Sequence, residues 1–143
     1  MYTDRENLAS LEQAVTATAV STDSLLIGAR DLGRGRALRA FAQVTETVAA
    51  AGAATVNIEL IEADDGALTS NVRVLASTGA LGKAALPDGT RVLDVSVPTT
   101  TKPYLGFRYT VATGPLTAGK FTAGLVSDTE SALDNRPAYH THF

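Results

Sequence analysis

This chain has no cysteine and no tryptophan, and its only histidines are His140 and His142. Without thiols there is no disulfide framework, no thiolate zinc site and no cysteine nucleophile. A Ser-His-Asp arrangement would have to draw its base from the C-terminal end. No apolar run approaches the roughly 18 residues of a membrane span. The start, Met1-Tyr-Thr-Asp-Arg-Glu-Asn7, lacks the apolar core of a secretory signal peptide, so neither that export route nor a membrane location is expected. The net charge of −3 offers no basic excess for general phosphate or nucleic-acid binding.

What is present suits a globular domain. Hydrophobic residues make up 45% of the 143 residues and charged residues 19%, too apolar a mixture for a disordered chain. A chain of this size buries roughly 68–70% of its unfolded surface and can fold as one unit.

The apolar pattern is mostly of period two, the signature of half-buried strands. The clearest case is Thr55-Val-Asn-Ile-Glu-Leu-Ile61, where Val56, Ile58 and Leu60 are expected to face the core and Asn57 and Glu59 to face out. Further strands are expected from Gln13 to Val20, near Ser24–Ile27, from Leu38 onward, over Val72–Ala76 and over Val92–Val97. Two more runs, Tyr104–Thr113 and Lys120–Val126, are joined through Gly114-Pro115-Leu-Thr-Ala-Gly119 and read as a final hairpin. Asp64-Asp-Gly66 and Pro87-Asp-Gly-Thr90 are turn signals, because proline presets φ and glycine accepts positive φ. Pro98 and Pro103 bracket an extended crossover, and the interrupted alanines of Ala49–Ala54 read as a turn.

Seven or eight short strands with turns about every 8–12 residues indicate an all-β fold, a jelly-roll or Greek-key sandwich. The expected organisation is an N-terminal arm over 1–12, a sandwich over 13–126 and a C-terminal tail over 127–143. Thr3-Asp-Arg-Glu6 has the form of a helix capping box, with Leu8 and Leu11 behind it, so the arm could open on a short amphipathic helix or turn.

No motif carries catalysis. Gly28-Ala-Arg-Asp-Leu-Gly33 has phosphate-loop glycine spacing, but Arg34 and Gly35 stand where lysine and serine or threonine are required. His140-Thr-His142 offers two imidazoles without the further ligands of a metal-binding jelly roll. Glu62 with Asp64 and Asp65 does not match the alternating ligands of a calcium loop, so a solvated turn is the better reading. Glu46 and Glu59, on neighbouring candidate strands, are the one carboxylate pair that could suggest glycoside cleavage. Arg30, Arg34, Arg36 and Arg39 form the dense positive cluster, either a solvated loop or a docking patch for carboxylates. No catalytic, cofactor or metal residue is assigned.

Met1–Asn7, Gln13–Thr22, Ala50–Val56 and above all Tyr104–Val126 resemble the capsid cement, or decoration, proteins of tailed bacteriophages. The resemblance implies a jelly-roll domain that binds the outside of an assembled shell, stabilises contacts between capsomers and performs no catalysis. It implies the major capsid protein as partner, synthesis in the host cytoplasm and a place on the outer capsid surface. A homo-oligomer is expected on a symmetric shell, with a dimer favoured over a trimer. Tyrosine and arginine are favoured at interface hot spots, which singles out Tyr2, Arg5 and Leu8 in the arm, Arg34, Arg36 and Arg39 for charged docking, and Tyr139 and Phe143 in the tail. Deleting residues 1–8 is expected to weaken attachment and leave thermal unfolding nearly unchanged. The alternative on the same fold is a carbohydrate- or receptor-binding module of a virion.

Overall fold

The computed structural model of the chain describes residues 4–28 and 38–126. Within them nine strands follow one another: β1 (Leu8–Ala14), β2 (Ala19–Val20), β3 (Leu25–Leu26), β4 (Arg39–Ala49), β5 (Thr55–Ala63), β6 (Arg73–Gly82), β7 (Arg91–Ser96), β8 (Tyr104–Ala112) and β9 (Ala118–Val126). They make two antiparallel sheets, one ordered β1-β9-β4-β7 and the other β2-β8-β5-β6. β2 and β3 lie one after the other on the same edge of β8. With these two counted as one broken strand, eight positions interleave in the double-sheet order of a jelly roll, the sandwich expected from the pattern.

Strand parity decides what meets in the middle. Val56, Ile58 and Leu60 of β5 face Ala40, Ala42 and Val44 of β4 and Phe121, Ala123 and Leu125 of β9 through one shared core, with Leu105, Phe107 and Tyr109 from β8. Each large side chain buried this way contributes roughly 1.5–3 kcal/mol, so the core alone can hold a chain without cysteine.

The expected final hairpin does not form. β8 and β9 belong to opposite sheets, and residues 113–117 carry the chain across the end of the sandwich. Both strands bear their large apolar residues on one face, and both faces turn into the shared core from opposite sheets. The crossing satisfies its backbone on neighbours: the Leu116 amide donates to the Thr16 carbonyl and the Thr117 amide to the Ala49 carbonyl, at 2.9 and 2.8 Å. Glu46 and Glu59 are likewise on opposite sheets, and each has its own cation, Lys120 at 3.5 Å and Arg108 at 2.6 Å. They are not a carboxylate pair.

The N-terminal region also differs from expectation. Asp4 caps a single 3-10 turn over Arg5–Asn7, its carboxylate accepting from the Glu6 amide at 3.2 Å, and strand β1 starts at Leu8. The sheet therefore takes in residues 8–12, which the sequence had placed in an arm. A bulge follows, with Glu12 at a φ of 46° and its amide bonded to the Thr122 hydroxyl. The alternation read from Gln13 to Val20 is broken, because residues 15–18 cross from β1 to β2.

Both outer faces carry a small apolar cluster over a glycine. On β9, a Cβ at Gly124 would strike the Asn7 carbonyl and sit 2.8 Å from the Leu8 Cα, so glycine lets the N-terminal segment lie against the sheet. Leu8 there packs with Phe41 and Val126. On β8, a Cβ at Gly106 would collide with Leu68, which the 64–72 connection folds back beside Ile61 and Ala63.

Candidate interface at one end of the sandwich

Antiparallel register brings the start of β1, the start of β4 and the ends of β7 and β9 together. Leu8 is opposite Gly124, Arg39 is opposite both Val126 and Ser96, and on the other sheet Leu26 and Ala63 are opposite Tyr104. One end of the sandwich thus holds the points from which segments 1–7, 29–37 and 127–143 leave the sheets. The far end holds the connections 15–18, 50–54, 83–90 and 113–117, with a shallow groove between Ala17, Thr18, Val111, Gly114 and Pro115.

Of the residues singled out from sequence, Tyr2, Arg34, Arg36, Tyr139 and Phe143 lie outside the described residues, as do His140 and His142. Arg5 is exposed and reaches Asp23 at 3.4 Å. Leu8 is a core side chain, buried against Phe41 and Val126, so it is not available as an arm contact. Arg39 is half-buried: its Nε donates to Asp94 Oδ1 at 2.6 Å, Nη2 to the Asp94 carbonyl at 3.0 Å and Nη1 to the Ser96 hydroxyl at 3.3 Å. Arg91 joins the same carboxylate at 3.3 Å. The guanidinium of Arg39 therefore braces β4 against β7 at the very start of the strand. Arg5 and Arg39 share the end that the other candidates lead from.

Sequence reasoning read Glu62 with the solvated turn and missed its burial. Its side chain is fully buried and continues the inward row of Val56, Ile58 and Leu60. The Thr101 amide and hydroxyl donate to it at 3.0 and 2.9 Å, the Lys102 amide at 3.4 Å, and Arg73 pairs with it at 3.1 Å. The signal was available: a charged residue on the apolar parity of a strand must bring its donors with it. The two amides and the hydroxyl come from the proline-bracketed crossover between β7 and β8, and Arg73 comes from the start of β6.

The adjacent turn is a closed polar unit rather than an open cation site. Asp65 accepts from the Thr69 hydroxyl and from the Thr69 and Ser70 amides at 2.6 to 2.9 Å. Asp64 accepts from Asn71 at 2.7 Å and Lys102 at 3.1 Å. These bonds favour the ionised forms: the Thr69 hydroxyl first holds the Asp65 carboxyl below its ordinary value, and Asn71 and then Lys102 do so for Asp64. Among the described residues, no three His, Cys, Asp or Glu side chains gather to hold a metal ion.

A second network closes the side of the sandwich next to β1. The buried Tyr109 hydroxyl donates to Ser10 at 2.9 Å, Ser10 donates to Gln13 Oε1 at 2.7 Å, and Gln13 bonds the Val20 carbonyl and the Thr22 amide at 2.9 Å each. Burial pushes the Tyr109 phenol up, against the smaller opposing effect of Ser10. All of these groups are occupied with one another.

No curated protein matches the chain. A family model described as Bbp16 matches residues 9–125, which runs from within β1 to the penultimate residue of β9 and takes in the whole sandwich. The chain belongs to the Bbp16 family.

Proposed function

We propose that this Bbp16-family chain is a phage-related structural virion protein that binds the outer surface of an assembled capsid and stabilises contacts between capsomers. The major capsid protein is its partner, and a homo-oligomer, a dimer before a trimer, is the binding form. The observation that carries this reading is the shared end of the sandwich. Segments 1–7, 29–37 and 127–143 all lead from it, and they hold Tyr2, Arg5, Arg34, Arg36, Tyr139 and Phe143. A sandwich from one end of which several chain segments depart can make many small contacts at once, and repetition over a lattice multiplies them even where one contact is weak. The resemblance of Tyr104–Val126 to capsid cement proteins supports the same role. The test is to mix purified protein with expanded, undecorated capsids and image them. Added density at capsomer junctions is expected; bare junctions at saturating protein overturn the proposal.

A further inference from the structure

We infer that a second copy of this chain docks face to face on the outer surface of the β2-β8-β5-β6 sheet, across a two-fold axis beside Arg108 and Glu59. The inference rests on the homo-oligomer of the proposed function and names the surface that makes it. Among the described residues no sheet edge is fit to take up another chain. β2 and β3 have two residues each. The register of β1 with β9 is broken twice, and so is that of β6 with β5, where Gly79 stands at a φ of 73°. β7 has six residues and carries Arg91 and Asp94. Short strands, bulges and charge keep an edge from adding a strand, so a second copy has to meet a face.

The outer face of the β1-β9-β4-β7 sheet is taken by the chain itself. The N-terminal segment lies over Gly124, and Arg39 and Arg91 with Asp94, and Lys120 with Glu46, pair across the strands. On the other sheet Leu68 covers Gly106 and Ile61, and the half beyond it is open. There Thr55 is opposite Ala112 and Asn57 opposite Thr110, short side chains that lose little conformational freedom when covered. The charge of this half is held by Arg108 and Glu59, directly opposite each other on β8 and β5. Arg108 Nε donates to Glu59 Oε2 at 2.6 Å, and the Thr110 hydroxyl reaches the same oxygen at 3.5 Å. The other oxygen has Asn57 Nδ2 at 3.4 Å. Among the described residues the two terminal nitrogens of Arg108 have no acceptor, so the guanidinium is fixed through one nitrogen and keeps two for a partner. Both side chains stay within reach, 32% of Arg108 and 12% of Glu59 being exposed. A cation and an anion side by side suit a two-fold contact. The axis turns the pair end for end, so each Arg108 comes over the partner's Glu59 and four charges alternate around the axis. A second copy brings this match by symmetry alone.

Sedimentation equilibrium of the full chain, without capsids, is the test. The wild type is expected to dimerise, and Arg108→Glu and Glu59→Arg are each expected to weaken self-association about tenfold or more, because like charges then meet at the axis. Mixed in equal amounts, the two variants are expected to pair with each other, since one face is doubly acidic and the other doubly basic. Thermal midpoints read beside sedimentation separate a lost contact from a lost fold. Should Glu59→Arg fail to fold, Glu59→Gln, of the same shape, must still weaken the dimer, and an unchanged constant overturns the inference. A monomeric wild type, a dimer that Arg108→Glu leaves intact, or two folded variants that stay apart when mixed overturns it as well. A monomeric wild type that still decorates capsids leaves the proposed attachment standing and removes only the dimer. A dimer that obeys the charge exchange but leaves capsid junctions bare fails the proposed function and keeps this face.

Discussion

Tyr109 of β8 and Phe121 of β9 stack across the core with ring centroids 5.1 Å apart and planes inclined by 30°. The same tyrosine reaches Ser10 of β1 through its hydroxyl, so one side chain joins the two sheets by both ring and hydrogen bond. Phe121→Ala is expected to lower stability by about 3–5 kcal/mol, from lost burial and the cavity left between the sheets. Tyr109→Phe keeps the stack and is expected to cost about 1 kcal/mol. Urea unfolding midpoints of the two variants check this ordering.

The same phenol sets an alkaline limit. Its ionisation in the folded chain is raised above the ordinary value of 10.0, so the native state holds the proton where the unfolded state releases it. Its contribution is therefore complete below pH 10.0 and is lost as pH rises above that value. Stability measured on either side of pH 10.0 is expected to fall more steeply in the wild type than in Tyr109→Phe. Equal slopes would show that Tyr109 is not the group responsible.

The position of Leu8 reverses one expectation. Because it packs on Phe41 and Val126 over Gly124, deleting residues 1–8 is expected to lower the thermal midpoint as well as any attachment. Leu8→Ala alone is expected to cost about 2–5 kcal/mol, and Gly124→Ala about 1–3 kcal/mol by pushing the N-terminal segment off the sheet. Calorimetry of the three variants reads this directly; an unshifted midpoint for the truncation would return residues 1–8 to the role of a free arm.

At acid pH the turn after β5 is expected to loosen early. Asp64 and Asp65 have folded values lowered from 3.8, so their bonds contribute fully above pH 3.8 and are lost as pH falls below it through the lowered values. Exchange at the Thr69 and Ser70 amides is expected to quicken over that interval while Asp65→Asn, which cannot titrate, shows no such step. The same pH course in both proteins would count against the carboxylate.

Charge reversal tests the arginine-rich segment. Arg34→Glu combined with Arg36→Glu is expected to reduce capsid attachment by an order of magnitude or so, and attachment of the wild type is expected to weaken with salt because exposed charge pairs are screened. Sedimentation of capsids with bound protein, read beside the unfolding midpoint, separates lost contact from lost fold.

Much of the sandwich is legible in the sequence because half-buried strands alternate. The Thr55–Ile61 row announces β5 residue by residue, and the Pro87–Thr90 turn closes as its sequence implies, with the Thr90 amide on the Pro87 carbonyl. Pairing is not written the same way. Period two tells which face of Tyr104–Val126 is apolar, yet a hairpin and two strands facing each other across a core satisfy that pattern equally. Phe41 shows a further limit: alternation puts it on the outside of β4, where Leu8 and Val126 bury it. The burial of Glu62 was hidden for a related reason, since its backbone donors come from residues 39 and 40 positions away in the chain.

The jelly-roll order also governs when this chain can fold. Of its successive strands only β5 and β6 pair with each other. β2 and β3 must wait for β8, β4 for β7 and β9, and β1 for β9 alone. A growing polypeptide therefore carries one local hairpin until β7 emerges to meet β4, β2 and β3 stay unpaired until β8, and β1 stays unpaired until residue 118 and those after it have been made. Closure is then a late event that draws the first strand and the last together in one step. Slow acquisition of structure and a vulnerable period on or near the ribosome are the expected companions of so many distant pairings.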